Sequence, residues 1–171
     1  MFDQPKIQLL IDQGRHDEAV AAIREALSGD FDNVWLYYLL SVTHLAQDKP
    51  RAAEAAAREA ISREPEFDLG FFALAQALLD RRRLRDAQKA IDEALRIDPD
   101  DATYYAVKAR ILGERNKNKE ALEMAETGLA LDPDNDSCRF YRGVILARLG
   151  RHEEAADESL GLLADDPEAA S

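Results

Sequence analysis

Apolar positions recur along this chain in a helical rather than a strand rhythm. Between residues 68 and 101, Phe71, Leu74, Ala75 and Leu78 fall on one face of a first segment. Leu84, Ala87, Ile91, Ala94 and Leu95 do the same in a second. Steps of three and four residues are those of an amphipathic α-helix. The polar break at Arg81–Arg83 predicts a tight turn between the two, and Asp98-Pro99 predicts the stop. The stretch reads as one αα-hairpin.

The stop recurs. Prolines stand at 65, 99, 133 and 167, each 34 residues after the last. A fixed period of that length is the mark of stacked helix pairs, each burying its apolar face only against its neighbours. Counting outward from the prolines divides the chain into 1–33, 34–67, 68–101, 102–135 and 136–169, with no low-complexity linker between them. Residues 1–171 are therefore expected to form a single domain.

The first unit is expected to be truncated. Pro5 opens a short leading helix filled by Ile7, Leu9, Leu10 and Ile11, and Phe31 stands in place of the proline. Gly14, Asn116 and Gly150 suit left-handed turn residues, and Asp48, Lys49 and Pro50 make the second unit's turn. The run VWLYYLLSV from Val34 is apolar almost all round, so it needs neighbours on most sides. At the far end Ala156, Leu160 and Leu163 would face the space of a sixth unit, with no C-terminal capping helix to cover them. The expectation is either a longer parent protein or self-association through that face.

On these residues the chain resembles the tetratricopeptide repeat family over essentially its whole length. The third unit matches the family pattern with Phe71, Leu74, Ala75, Leu78, Ala87, Ile91, Ala94 and Pro99. The second matches with Tyr37, Leu40, Ser41, His44, Ala53, Ala57, Ala60 and Pro65. One small position recurs in every unit, as Ala19, Ala53, Ala87, Ala121 and Ala155, where a larger side chain would overpack the paired helices. Departures are Lys108 and Arg142 for Leu, Arg139 for the aromatic, and Gly128 and Leu162 for the last Ala. The resemblance implies an all-α fold, a right-handed α-solenoid of five tandem 34-residue helix–turn–helix repeats. It also implies a non-catalytic protein–protein interaction scaffold that binds a peptide or helix in a concave groove lined by the first helices.

Groove positions in that family lie on one helical face. The resemblance places Trp35, Tyr38, Val42 and Leu45 there in the second unit, and Leu69, Phe72, Gln76 and Leu79 in the third. Thr103, Ala106, Arg110 and Gly113 follow in the fourth; Ser137, Phe140, Val144 and Ala147, then Arg148, in the fifth. The expected ligand is a protein or peptide with an apolar segment and an acidic end. The competing reading for Trp35 and Tyr38 is packing against the first unit. Some relatives hold the acidic C-terminus of heat-shock chaperones in a clamp of Lys and Asn. Here Tyr38, Val42, Leu69, Ala73 and Val107 stand at the corresponding positions, so that motif is not expected to bind.

Composition narrows the remaining classes. With 46% hydrophobic and 33% charged residues the chain is globular rather than disordered. A formal net charge of −12 argues against nucleic acid as partner. The lone Cys138 excludes an internal disulfide and fits a reducing compartment, so a soluble, cytoplasmic protein without membrane insertion is expected. His16, His44 and His152 are far apart in sequence, and His16 and His152 share a repeat position where an aromatic usually packs. They read as structural. No metal-ligand spacing, phosphate-binding loop or catalytic constellation is present, so no cofactor and no enzyme are expected. The run Arg81, Arg82, Arg83 and Arg85 reads as favourable charge at a helix C-terminus and in a solvated turn, or as a patch for an acidic partner. Rival readings for the whole chain are an N-terminal regulatory or localising segment of a larger enzyme or membrane protein, and a secretion-type chaperone.

Overall fold

The computed structural model describes residues 4–29 and 33–165, with side-chain surroundings as far as Glu158. Among these residues every regular element is an α-helix. In chain order they are α1 (Gln4–Asp12), α2 (His16–Ser28), α3 (Val34–Ala46), α4 (Pro50–Arg63), α5 (Asp68–Asp80), α6 (Leu84–Ile97), α7 (Ala102–Glu114), α8 (Asn118–Leu131), α9 (Asp136–Arg148) and α10 (His152–Asp165). The fold is an α-solenoid of tandem helical repeats. By its contacts the chain falls into two compact units, Met1–Ile97 and Asp98–Ser171.

Within each unit the second helix of a pair packs on its own first helix and on the first helix of the next pair. First helices also lie side by side, α3 against α5 in one unit and α7 against α9 in the other. Ala19, Ala53, Ala87 and Ala121 are wholly buried, so the recurring small residue does sit where helices approach closely. Ser41 extends the same contact: its hydroxyl donates to the Ala53 carbonyl at 2.9 Å.

All five turns are built alike. Gly14, Asp48, Arg82, Asn116 and Gly150, one period apart, adopt φ of 69°, 55°, 59°, 59° and 78°. The following N–H reaches back to a carbonyl five residues earlier, as in Arg15 to Leu10, Lys49 to His44 and Arg83 to Leu78, at 2.8–2.9 Å. This closure ends a helix through one left-handed residue. Asp48 and Arg82 accept that conformation without glycine's freedom, and an L-residue there costs about 1 kcal/mol or more. Arg82→Gly is therefore expected to stabilise the protein by about 0.5 kcal/mol after glycine's own entropy cost is subtracted. A thermal unfolding midpoint that falls would refute this.

The first helices start on side-chain caps. Asn33, Asp101 and Asn135 accept from backbone N–H groups of the first turn. Phe67 occupies the same position before α5 and makes no cap; its ring instead meets Tyr38 edge-on at 6.3 Å.

Two departures from the family pattern have structural reasons. Gly128 leaves room for Cys138, whose Sγ donates to the Ala102 carbonyl at 3.2 Å; a Cβ on residue 128 would lie 2.4 Å from that sulfur. Arg142 forms an ion pair with Glu158, joining α9 to α10. Lys108 and Arg139 are half-buried. Phe31 and Pro167 lie outside the described residues, as do the side chains of Leu160, Leu162 and Leu163; Ala156 is exposed.

The arginine run has a role that neither sequence reading anticipated. Glu54 on α4 is 7% exposed and pairs with Arg58, one turn on, and with Arg81 and Arg83 from the turn after α5. Burial alone would raise the Glu54 pKa. Hydrogen bonds from Arg58 and Arg81, and their charges, outweigh that and hold it below the ordinary carboxylate value. Arg83 also pairs with Asp86 at 2.8 Å. Two of the four arginines thus neutralise a carboxylate of the preceding repeat.

His44 is buried, and desolvation holds its pKa below the usual imidazole value despite a 3.1 Å hydrogen bond with Gln47. His16 is half-buried, whereas His152 is exposed and does not pack as its repeat position suggested.

Candidate functional site

The face predicted to bind is carried by first helices, so its chemistry follows from what α3, α5, α7 and α9 leave uncovered. In the first unit Trp35, Tyr38, Val42 and Leu45 are half-buried on α3. Trp35 and Tyr38 pack together with ring centroids 5.1 Å apart and rest on the cluster of Ile7, Ile23, Leu36 and Leu39. Part of their surface is therefore spent on the first helix pair, as the competing reading held. On α5, Leu69 and Gln76 are half-buried, but Phe72 keeps 9% and Leu79 only 2% of its surface. Helices apolar almost all round are covered on most sides. Of the predicted residues on α5, Leu69 and Gln76 offer the larger open surface.

The second unit brings Arg110, Gly113, Phe140, Val144 and Arg148 together; Thr103, Ser137 and Ala147 are not on that lining, and Ala106 is wholly buried. Arg110, Gly113 and Glu114 of α7 face Phe140, Val144 and Arg148 of α9 across a cleft of about 380 Å³. Phe140 is 53% exposed and stands edge-on to Tyr141 at 5.2 Å. An aromatic with that much open surface, beside Val144, supplies the apolar half of the cleft. Arg148 approaches Glu114 at 3.7 Å, with 41% and 27% of the two side chains exposed. That separation is an ion pair but too long for a hydrogen bond. Arg110 adds a second guanidinium, so the lining carries two cationic groups to one carboxylate in a strongly acidic chain.

Gly113 shapes the cationic half. A Cβ at residue 113 would lie 3.2 Å from an Arg148 guanidinium nitrogen. Glycine inside a helix costs about 1 kcal/mol relative to alanine, so its place here has a packing reason: it admits Arg148 over α7. Glu114 was missed by the sequence reading. A signal existed, because Glu114 and Arg148 are one 34-residue period apart and opposite in charge.

Among the described residues no group of three or more His, Cys, Asp or Glu could hold a metal ion. No described helix is long and apolar enough to cross a membrane.

Comparison with known proteins agrees with this fold. Two profiles of the tetratricopeptide repeat family match, one over residues 10–68 and again over 44–111, the other over 106–170. The chain belongs to the tetratricopeptide repeat family, whose members generally act as protein–protein interaction scaffolds. No curated protein matches it in sequence. Among solved structures it resembles a thermophilic tetratricopeptide repeat protein of Thermus thermophilus, with 21% identity, TM-score 0.87, and 95% of this chain and 89% of that one covered. PilF of Pseudomonas aeruginosa aligns with 20% identity and TM-score 0.78, over 93% of this chain and 73% of that one. YrrB, a tetratricopeptide repeat protein with an unusual peptide-binding site, aligns with 19% identity and TM-score 0.66, over 94% and 83%. TM-scores of this size establish the shared fold.

Proposed function

We propose that this protein is a non-catalytic scaffold that binds an extended polypeptide segment on the exposed face of its first helices. The observation that carries the reading is the α7–α9 cleft, where an open aromatic and two guanidiniums line one depression. A solvent-exposed aromatic beside cationic groups is the composition of a peptide-contact surface rather than of a packed core. The half-buried set Tyr38, Val42, Leu45, Leu69 and Gln76 in the first unit supplies a second, more apolar stretch. YrrB's peptide-binding site supports peptide binding as a use to which this fold is put. Bulky apolar anchors suit the stretch in the first unit, and acidic residues beside an apolar one suit the α7–α9 cleft.

A peptide array probed with the purified protein tests the reading. Segments combining apolar anchors with acidic residues are expected to be retained, and Leu69→Ala with Gln76→Ala is expected to weaken retention of the apolar anchors several-fold while helicity stays unchanged. An array without selectivity, or one indifferent to these changes and to changes in the α7–α9 cleft, would overturn it.

A further inference from the structure

The first and last helices each leave one recurring position open. Leu9 on α1 is 54% exposed, whereas Thr43, Ala77 and Ile145, its counterparts by the 34-residue period, keep at most 1% of their surface. Those three lie on α3, α5 and α9, each packed against the second helix before it, α2, α4 and α8. Ala156 on α10 is exposed, whereas its counterparts Val20, Glu54 and Leu122 on α2, α4 and α8 are 7–8% exposed. In the last of these contacts Leu122 and Ile145 share one buried cluster. Leu9 therefore opens on the place of a second helix, and Ala156 on the place of a first. Leu9 also lines a depression of about 610 Å³ with Leu10, Ala21 and Ala22, which continues the apolar surface from α1 to α2. A polar clasp follows the same register. Gln47 Nε2 donates to Asp17 at 2.8 Å, joining the second pair to the first, while Lys49 donates to Gln47 Oε1 at 3.1 Å. One period earlier Arg15 donates likewise to Gln13 Oε1 at 3.3 Å, and among the described residues none stands to Gln13 as Asp17 does to Gln47. At the Asp17 position of the five repeats only Asp17 and Glu153 are acidic, the others being Arg51, Arg85 and Lys119; at the Gln47 position only Gln13 and Gln47 are glutamine.

We propose that the last helix pair of one copy docks on the first helix pair of the next, with α10 lying on α1 as α2 lies on α3. Leu9 and Ala156 are then covered together, as Ile145 and Leu122 are within one chain. Glu153 accepts from Gln13 Nε2, as Asp17 accepts from Gln47. The occupant is a second copy because this chain's own acids and glutamines recur at the two places such a stack would join, Asp17 to Gln47 within a chain and Glu153 to Gln13 between chains. The two partners use different surfaces, so the contact is heterologous and can repeat from copy to copy. It leaves the exposed face of the first helices aside and is independent of the peptide-binding reading. Because the chain is strongly acidic, copies repel at long range and association strengthens as salt rises.

Sedimentation velocity of the full chain, over a wide concentration range and at several salt concentrations, tests this. Reversible association is expected. Leu9→Asp and Ala156→Lys should each weaken it at least about ten-fold while helicity and thermal midpoint stay unchanged, since both residues are exposed. Each variant keeps one sound end, so mixing the two should give a heterodimer and nothing larger. Gln13→Glu is expected to weaken association several-fold, and Glu153→Lys added to the same chain to restore it. A chain that stays monomeric at every concentration would overturn the proposal and leave the α1 face to a helix of another protein. An Ala156→Lys variant that still associates would overturn it in favour of two α1 faces meeting. A mixture of the two variants that fails to pair would also sink it. None of these outcomes changes what the peptide array reports, so the two readings fail separately.

Discussion

Gly128→Ala should destabilise the protein by about 2 kcal/mol, although alanine is the residue that the repeat pattern prefers there and the better helix former. The reason is spatial. The added Cβ would meet Cys138 Sγ at 2.4 Å, the Tyr105 Cβ at 3.1 Å and the Ala102 carbonyl oxygen at 3.2 Å. The sulfur cannot retreat without lengthening its 3.2 Å contact with that carbonyl, and Cys138 is wholly buried. Cys138→Ala alone leaves a small void and should cost about 1 kcal/mol. Combined, the two changes fit together: residue 128 takes the methyl and residue 138 vacates the space. The double variant relieves the contact with the sulfur but not those with Tyr105 and Ala102, so it is expected within about 1 kcal/mol of the natural protein, a coupling of about 2 kcal/mol. Urea titrations of the four proteins measure it, and additive losses would refute the clash. Burial pushes the Cys138 thiol up to about 11, so in the folded protein it is protonated near neutral pH.

Glu54→Ala carries the other large expected effect, a loss of about 2–3 kcal/mol at neutral pH. Three guanidiniums converge on this one carboxylate, two of them from the turn of the next repeat. Its removal strands them in a partly buried place and loosens the contact between α4 and the end of α5. The arginines retain solvent access, which keeps the cost below that of a fully buried pair. Glu54→Gln keeps the shape and loses the charge, and should cost about half as much.

The pH dependence has a definite sign. Folding lowers the Glu54 pKa from its ordinary 4.5, so the folded state holds its proton less tightly than the unfolded chain. The network's contribution is fully present above about pH 4.5 and fades as pH falls through the lower, folded value. The stability difference between the natural protein and Glu54→Gln is therefore expected to be constant near neutrality and to shrink in acid. Parallel denaturation curves down to the acid limit would show that the carboxylate's charge is not what the arginines hold.

Both cases show where a periodic pattern stops being informative. The 34-residue spacing located every helix pair, because hydrophobic period, turn residues and terminating prolines are local features. It left the arginine run without its true partner, since Glu54 lies 27 residues before Arg81, a separation shorter than the repeat. The family resemblance placed Phe72 and Leu79 on the groove face, and the packing of α5 buries both. A helical face can be read from spacing. How deeply each position on it sinks depends on the neighbours that cover it. The α7–α9 cleft lies between these cases: Arg110, Phe140, Val144 and Arg148 were legible by register, but the role of Gly113 and the presence of Glu114 needed the approach of one side chain to another helix.

Helix identity, pairing order, the left-handed turn residue and the small-residue column follow from the order of amino acids, because each depends on steric preferences within a few bonds or one repeat. Which polar side chains meet, which aromatics stay open to solvent, and which glycine makes room for a neighbour were decided only by packing. Those outcomes are set by distances between helices, which spacing along the chain does not encode.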